Sequence, residues 1–156
     1  MVCLVYRDGS DGKTGGDSAV KLSFVLSTVQ AGFPSPADDY VEKNLDLNEL
    51  LVSHPAATFF VRVEGHSMID AHIYSGDILI VDRSLSAANG QIVIALINGE
   101  FTVKRVSIEG EKLFLVPENP AFPKIAINPE DDFQIWGVVT YVIHKLSSQE
   151  RARKEK

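Results

Sequence analysis

The sequence predicts a mostly β fold with one short helix and a flexible N-terminal arm. Three runs of aromatic and β-branched residues, at positions 57–63, 78–82 and 101–106, have the composition of half-buried strands. Asn98-Gly99 stands between two apolar runs and is the dipeptide that a two-residue type I′ hairpin turn prefers. Helical periodicity is confined to a short stretch near position 50, so strands and turns must form most of the core.

Composition and charge exclude several classes of function. The chain has 156 residues, of which 45% are hydrophobic, and this suits one globular core. A net charge of −6 argues against direct, sequence-specific DNA binding, which calls for a basic face. No apolar run reaches the roughly 18 residues of a membrane span, and the single cysteine, Cys3, excludes a disulfide framework and fits a reducing cytoplasm. The four histidines lack zinc-ligand spacing, so we expect no metal and no other cofactor.

The first 31 residues differ in composition from the rest of the chain. Residues 8–17 are rich in glycine, serine and aspartate without apolar periodicity, which predicts a mobile segment. Residues 20–29 are apolar and β-prone, and we expect a short strand there that could pair with the main body. Pro34 and Pro36 then keep the stretch 30–36 extended and remove two amide donors. This stretch is an exposed protease site, a plain domain boundary, or both.

A short helix is predicted at 46–52, where Asp46 is the N-cap and Glu49 completes a capping box. The residues beyond it are predicted to form strands and turns. The last residues of the chain gather basic side chains, and we interpret them as a solvated tail rather than a phosphate-binding surface. The predicted organisation is therefore an arm at 1–31, a body at 32–146 and a basic tail at 147–156.

Two polar residues within this pattern are candidates for chemistry. Ser67 follows the first strand in the turn Gly65-His66-Ser67-Met68, where glycine bends the chain at no steric cost. A two-residue turn at 98–99 sets Val93 opposite Lys104, among apolar neighbours. Burial there disfavours the ammonium and lowers the pKa of Lys104, as a general base requires. Taken singly, the serine is an ordinary turn residue and the lysine a snorkelling surface residue, but Ser–Lys pairs are a known form of activated serine.

The motifs around these residues resemble the self-cleaving serine peptidases of the LexA and UmuD group. The similarity rests on Gly65-His66-Ser67-Met68, on the strand 76–82 and on Phe101-Thr102-Val103-Lys104, with an interval from Ser67 to Lys104 that suits the group. Ala31-Gly32 matches the group's self-cleavage dipeptide, and the likeness to UmuD in particular runs from about Gly32 through Val142. One departure is His66, where UmuD-like members often carry an acidic residue. Its side chain should point away from the neighbouring serine, so we expect no Ser–His pair.

The resemblance implies a LexA- or signal-peptidase-like β-rich fold and a Ser–Lys serine endopeptidase. Neutral Lys104 would take the proton of Ser67, which attacks the Ala31 carbonyl, while the amides of Ser67 and Met68 would hold the oxyanion. A RecA nucleoprotein filament on single-stranded DNA would stimulate this self-cleavage in the SOS response to DNA damage. The trimmed homodimer, residues 32–156, would then join the catalytic subunit of a Y-family DNA polymerase in error-prone translesion synthesis.

Two alternatives stay open beside this interpretation. One is a non-catalytic polymerase-binding module that keeps the peptidase fold and is regulated in another way. The other is a LexA-type repressor fragment, although residues 1–31 are too few for a helix-turn-helix domain and lack helical periodicity. The joint presence of Ser67, Lys104 and Ala31-Gly32 favours the self-processing enzyme, because a scaffold does not need all three.

Overall fold

The computed structural model describes residues 3–4, 22–25 and 42–146, with side chains from Asp46 onward. The predicted cleavage site, Ala31-Gly32, and the predicted basic tail, 147–156, lie outside the described residues. The chain divides into two compact units, one formed by residues 9–53 and the other by residues 1–8 together with 54–156. The boundaries after positions 31 and 146 stay predictions.

The described elements are mainly short strands. In chain order they are β1 (Cys3–Leu4), β2 (Leu22–Val25), β3 (Glu42–Leu45), α1 (Leu47–Leu51), β4 (Thr58–Arg62), a 3₁₀ helix (Ile69–Ala71), β5 (Ile78–Asp82), β6 (Ile92–Ile97), β7 (Glu100–Glu109), β8 (Lys112–Val116), β9 (Ile125–Ala126) and β10 (Phe133–Ile143). The prediction of a mostly β fold with a short helix is therefore confirmed. Across the part of the chain that the structure describes, no helix has the length and apolar character needed to cross a bilayer.

The smaller unit contains a two-stranded sheet and the helix. β2 lies within the predicted strand at 20–29 and pairs antiparallel with β3. α1 begins after Asp46, whose Oδ1 accepts a hydrogen bond from the Asn48 amide at 2.8 Å. Among the described residues, Glu49 makes no bond back to the Asp46 amide, so the predicted capping box is present as an N-cap alone.

The larger unit is one antiparallel sheet of eight strands in the order β1-β4-β5-β10-β6-β7-β8-β9. The β6–β7 hairpin has the predicted register, with Ile97 opposite Glu100 and Val93 opposite Lys104. At its turn Asn98 has φ of 49° and Gly99 has φ of 84°, the two positive values that a type I′ turn requires. The hairpin prediction is confirmed, and it fixes Lys104 in the middle of the sheet.

Apolar side chains from the strands form two buried clusters. The first cluster joins the β4–β5 region to the middle of the sheet, and its members are Val61, Val63, Met68, Ile73, Leu79, Val81, Ile94 and Val103. The second cluster joins the middle of the sheet to β8, and its members are Val93, Ala95, Val106, Leu115 and Val138. β6 and β7 contribute to both clusters because successive side chains alternate between the faces of a strand. The strand that carries Lys104 is thus packed on both sides.

Both ends of β5 are fixed by a buried carboxylate paired with a histidine. Asp77 precedes the strand and lies 2.6 Å from His144 Nδ1, and Asp82 ends it and lies 2.6 Å from His54 Nδ1. Burial by itself raises the pKa of Asp82, but hydrogen bonds from Ser84 and His54 outweigh it and hold the pKa below its ordinary value. The two pairs tie residues before β4 and just after β10 to the ends of β5.

An aromatic cluster lies beside β10. The ring of Trp136 contacts Phe59, with centroids 5.2 Å apart, and meets Phe101 edge-on at 5.8 Å. The guanidinium of Arg83 lies 4.8 Å from the centroid of the Trp136 ring, within the range of a cation–π contact. The cluster connects β4, β7 and β10 through side chains.

Candidate active site

Ser67 stands in a turn that is held between the end of β4 and the start of β5. Backbone hydrogen bonds join the Val63 amide to the Asp77 carbonyl at 2.9 Å and the Gly76 amide to the Val63 carbonyl at 2.8 Å. Gly65 has φ of 107°, a value that glycine adopts without steric strain. Ser67 is half-buried in this turn.

Lys104 lies on β7 with 7% of its surface exposed, and its amine reaches Ser67. Nζ is 3.0 Å from Ser67 Oγ, 2.8 Å from Thr102 Oγ1 and 2.9 Å from the Val103 carbonyl oxygen. All three partners are uncharged, and across the described part of the chain no carboxylate pairs with this amine. The structure thus brings together the two residues that the sequence singled out.

Burial lowers the pKa of Lys104 below its ordinary value of 10.5, because the charged amine loses hydration that no counter-ion replaces. A neutral amine has two N–H groups and one lone pair. The Val103 carbonyl can only accept, so it takes one N–H, and the Thr102 hydroxyl can take the other. The lone pair then faces Ser67 Oγ, which is the geometry in which an amine removes a hydroxyl proton.

A cleft of about 270 Å³ opens over this pair. Its lining residues are Val63, Glu64, Gly65, His66, Ser67, Met68, Phe101, Thr102, Val103, Lys104 and Phe122. The wall is mixed, with apolar side chains beside polar ones, and it includes the Ser67 hydroxyl and the Lys104 amine. Such a cleft suits an extended peptide whose scissile carbonyl approaches the serine, and small residues at the scissile bond permit a close approach.

The segment after β8 supports the serine turn from outside. Asn119 Nδ2 donates to the His66 carbonyl oxygen at 2.8 Å, and the Asp70 amide donates to the Glu118 carbonyl oxygen at 2.9 Å. Ser67 lies between these two attachment points. The carboxylate of Glu118 in turn pairs with Arg105, the neighbour of Lys104 on β7. The strand that carries the amine is therefore connected to the turn that carries the hydroxyl.

The other groups singled out in the sequence are the predicted oxyanion amides, of Ser67 and Met68, and the His66 side chain. Within residues 46–146, neither the Ser67 amide nor the Met68 amide donates to a protein acceptor. The His66 side chain is exposed and, among the described residues, makes no hydrogen bond to Ser67. The same part of the chain contains no cluster of His, Cys, Asp and Glu suited to a metal ion.

Two residues of the site were not identified as site residues from the sequence. Thr102 is two positions before Lys104 on a strand, so its place on the same face was predictable, but its contact with the amine was not. Asn119 carries only the signal of a turn, since it precedes Pro120. Its contact with His66 depends on how a loop folds back across the sheet, and no local pattern encodes that.

Comparison with known proteins places this site in a family. The model of the family described as Peptidase S24-like matches residues 23–140. The chain is 46% identical to the protein MucA of Salmonella typhimurium over 129 residues, which is 82% of this chain and 88% of MucA. It is 51% identical to the protein SamA of Salmonella typhimurium over 118 residues, covering 76% of this chain and 81% of SamA.

A third relative is a repressor. The chain is 40% identical to the LexA repressor of Pseudomonas chlororaphis over 122 residues, which is 78% of this chain and 60% of the repressor. The family match covers most of the sheet together with the serine turn, β7 and the loop at Asn119. The chain therefore belongs to the Peptidase S24-like family, as a UmuD-like member of the LexA and UmuD group.

Proposed function

We propose that the chain is a serine endopeptidase that cleaves itself between Ala31 and Gly32, with Ser67 and Lys104 as its catalytic dyad. The observation that carries the proposal is the 3.0 Å separation of Lys104 Nζ and Ser67 Oγ, in a cleft where burial lowers the pKa of the amine. A structural lysine would gain little from this position, because a buried amine without a counter-ion is costly.

The proposed reaction proceeds through an acyl-enzyme. Ser67 Oγ attacks the Ala31 carbonyl carbon as its proton passes to the neutral amine of Lys104. The amides of Ser67 and Met68 bind the negative oxygen of the tetrahedral intermediate. As the intermediate collapses, the bond to the Gly32 nitrogen breaks, and Lys104 returns the proton to this leaving amine. A water molecule, deprotonated by Lys104, then attacks the Ala31 carbonyl carbon of the ester. The bond to Ser67 Oγ breaks, and Lys104 returns the proton to that oxygen.

We further propose that this cleavage is a switch in SOS mutagenesis. A RecA nucleoprotein filament stimulates it, and the trimmed chain, residues 32–156, forms a homodimer that serves a Y-family DNA polymerase in translesion synthesis. The UmuD-like motifs and the family membership support this role. Ser67, Lys104 and the cleft are formed by residues after the proposed cleavage point, so the machinery stays within the trimmed chain.

Incubation of the purified full chain across neutral to strongly alkaline pH, with mass spectrometry of the fragments, tests the chemistry. We expect one cut, between Ala31 and Gly32, whose rate rises with pH because the neutral fraction of Lys104 rises. Ser67→Ala and Lys104→Ala should each abolish the cut, and His66→Ala should retain it as the matched control.

Other outcomes separate the alternatives. A rate that is flat with pH, or a cut that survives Ser67→Ala, would contradict the dyad. A wild-type chain that stays intact at every pH, and also with RecA, single-stranded DNA and a nucleotide, would favour the non-catalytic polymerase-binding module. Loss of cleavage in His66→Ala would revive a Ser–His mechanism.

A further inference from the structure

We infer that Asn119 is a positioning residue for the oxyanion site, acting through the peptide unit that joins His66 to Ser67. The inference rests on the proposed function, because it concerns the same reaction. Asn119 touches neither the reacting hydroxyl nor the amine in the structure; its contact is with the His66 carbonyl oxygen. What it orients is the amide on the other side of that peptide bond.

The geometry of a peptide unit makes this contact directional. The His66 carbonyl and the Ser67 amide belong to one planar, trans unit, so the C=O and the N–H point in opposite directions. Asn119 Nδ2 lies 2.8 Å from the carbonyl oxygen and fixes that end. The Ser67 N–H is thereby aimed away from Asn119, and within residues 46–146 it has no acceptor. An amide that is both oriented and unoccupied is what an oxyanion requires.

Asn119 is itself held rigidly enough to act in this way. Its Oδ1 accepts a hydrogen bond from the Ala121 amide at 2.9 Å, and its carbonyl accepts one from the Phe122 amide at 3.1 Å. Its neighbour Glu118 is fixed on two sides, by the Asp70 amide at 2.9 Å and by the ion pair with Arg105. Both polar atoms of the Asn119 side chain are therefore bonded. Oδ1 closes its own turn, and Nδ2 holds the serine turn.

The contact also strengthens the amide as a donor. A hydrogen bond to a carbonyl oxygen draws electron density from the peptide nitrogen, so the N–H at the other end becomes a better donor. This effect acts on the tetrahedral intermediate and not on the proton transfer between Ser67 and Lys104. Loss of Asn119 should therefore lower the maximal rate in the pH–rate profile. The midpoint pH should not move, because the pKa of Lys104 sets it.

The test is self-cleavage of full-length Asn119→Ser across the same pH range. Serine can still accept the Ala121 amide and keep the turn, but it is too short to reach the His66 carbonyl. We expect the rate on the alkaline plateau to fall at least about tenfold, with an unchanged midpoint and an unchanged Tm. Asn119→Asp keeps Oδ1 but sets a carboxylate oxygen against the carbonyl, and it should lose at least as much.

Asn89→Ser is the matched control, because the Asn89 side chain also bonds to backbone, accepting from the Ile108 amide, but Asn89 does not line the cleft. It should cleave at the wild-type rate. A loss in Asn119→Ser smaller than about tenfold overturns the inference, and so does a shifted midpoint, which would show that the turn had released Ser67 from Lys104. If Ser67→Ala also cleaves, or the wild-type chain does not, the proposed function fails and the inference fails with it.

Discussion

The buried amine of Lys104 lowers the stability of the fold, and the proposed catalytic role explains why it is there. Its three partners, Ser67, Thr102 and the Val103 carbonyl, are neutral, so they satisfy its donors without balancing its charge. The pKa is lowered because the folded chain favours the neutral form. At any pH below the ordinary value of 10.5, the folded protein must either bury an ammonium or release a proton that the unfolded chain would keep.

This cost predicts the pH dependence of a stability difference. Lys104→Met keeps the length of the side chain and removes the charge, so it should stabilise the fold at pH 7, on the order of 1 kcal/mol or roughly 2–4 °C in Tm. The folded pKa lies below the unfolded value, so the unfolded wild-type chain binds more protons between the two, and its stability rises with pH there. The difference in free energy of unfolding between Lys104→Met and wild type should be largest below the folded pKa of Lys104. It should shrink as the pH approaches 10.5.

Melting curves by circular dichroism at several pH values measure this gap. Lys112→Met is the control, since Lys112 is an exposed lysine on β8, the strand next to β7. Its stability difference should not vary with pH in that range. A gap for Lys104→Met that stays constant or widens up to pH 10.5 would show that the buried amine is not what costs the wild type its stability.

At the level of single residues, the sequence predicts Ser67 and Lys104 but not Thr102, which contacts the amine, or Asn119, which contacts the serine turn. Ser67 and Lys104 were found because a turn motif and a hairpin register are local patterns, and both carry residues unusual for their setting. The roles of Thr102 and Asn119 depend on side-chain reach and on a loop that returns across the sheet. Those distances follow from tertiary packing, which no short window of sequence contains.

Of the glycines in the described residues, Gly137 on β10 has the closest neighbours. β10 runs between β5 and β6, and its register with β6 shifts between Ile135 and Gly137. A Cβ added at Gly137 would lie 2.6 Å from Cγ1 of Val81 and 3.2 Å from the Asp82 carbonyl oxygen. Val81 is fully buried and β-branched, so it cannot turn aside. Glycine is required here by a close approach and not by a turn.

We therefore expect Gly137→Ala to destabilise the fold by about 1–3 kcal/mol, the usual cost of overpacking a core. Urea denaturation measures it. In a Val81→Ala background the clashing methyl is gone, so the same change at Gly137 should cost clearly less, and the double-mutant cycle isolates the contact. Equal costs in the two backgrounds would show that the loss comes from somewhere other than this contact.

The strands themselves were predicted with uneven success. β5 and the β6–β7 hairpin have strong apolar or turn signals and were located closely. β3 was missed, because Glu42–Leu45 is mostly polar and has no alternation to mark it. Its pairing with β2 was not predicted either. A short strand forms because it pairs with another strand. That pairing partner cannot be identified from a short window of sequence.

For the whole molecule, the proposed switch predicts a dependence on RecA. The observed rate scales with the fraction of molecules whose cleavage site lies at Ser67, and a partner that favours this arrangement raises the rate. A hundredfold acceleration needs about 2.7 kcal/mol of differential binding, which one protein–protein contact can supply. We expect slow cleavage at neutral pH and strong stimulation by RecA, single-stranded DNA and a nucleotide together.

A time course with each component omitted in turn measures the stimulation. DNA without RecA should have no effect, because a chain of net charge −6 offers little attraction to phosphate. Equal rates with and without RecA would leave an unregulated self-processing enzyme, while the dyad itself would be unaffected. RecA without DNA or nucleotide is the control for simple protein association.

The aromatic cluster beside the cleft gives the protein an optical property. Trp136 is the single tryptophan of the chain, and its ring meets Phe101, which lines the cleft over the dyad. Emission excited at the red edge of the absorption band therefore comes from one indole, next to the place where a peptide would lie. In a Ser67→Ala chain, which should not cleave, the fluorescence of Trp136 should report whether a peptide occupies the cleft. No label has to be attached.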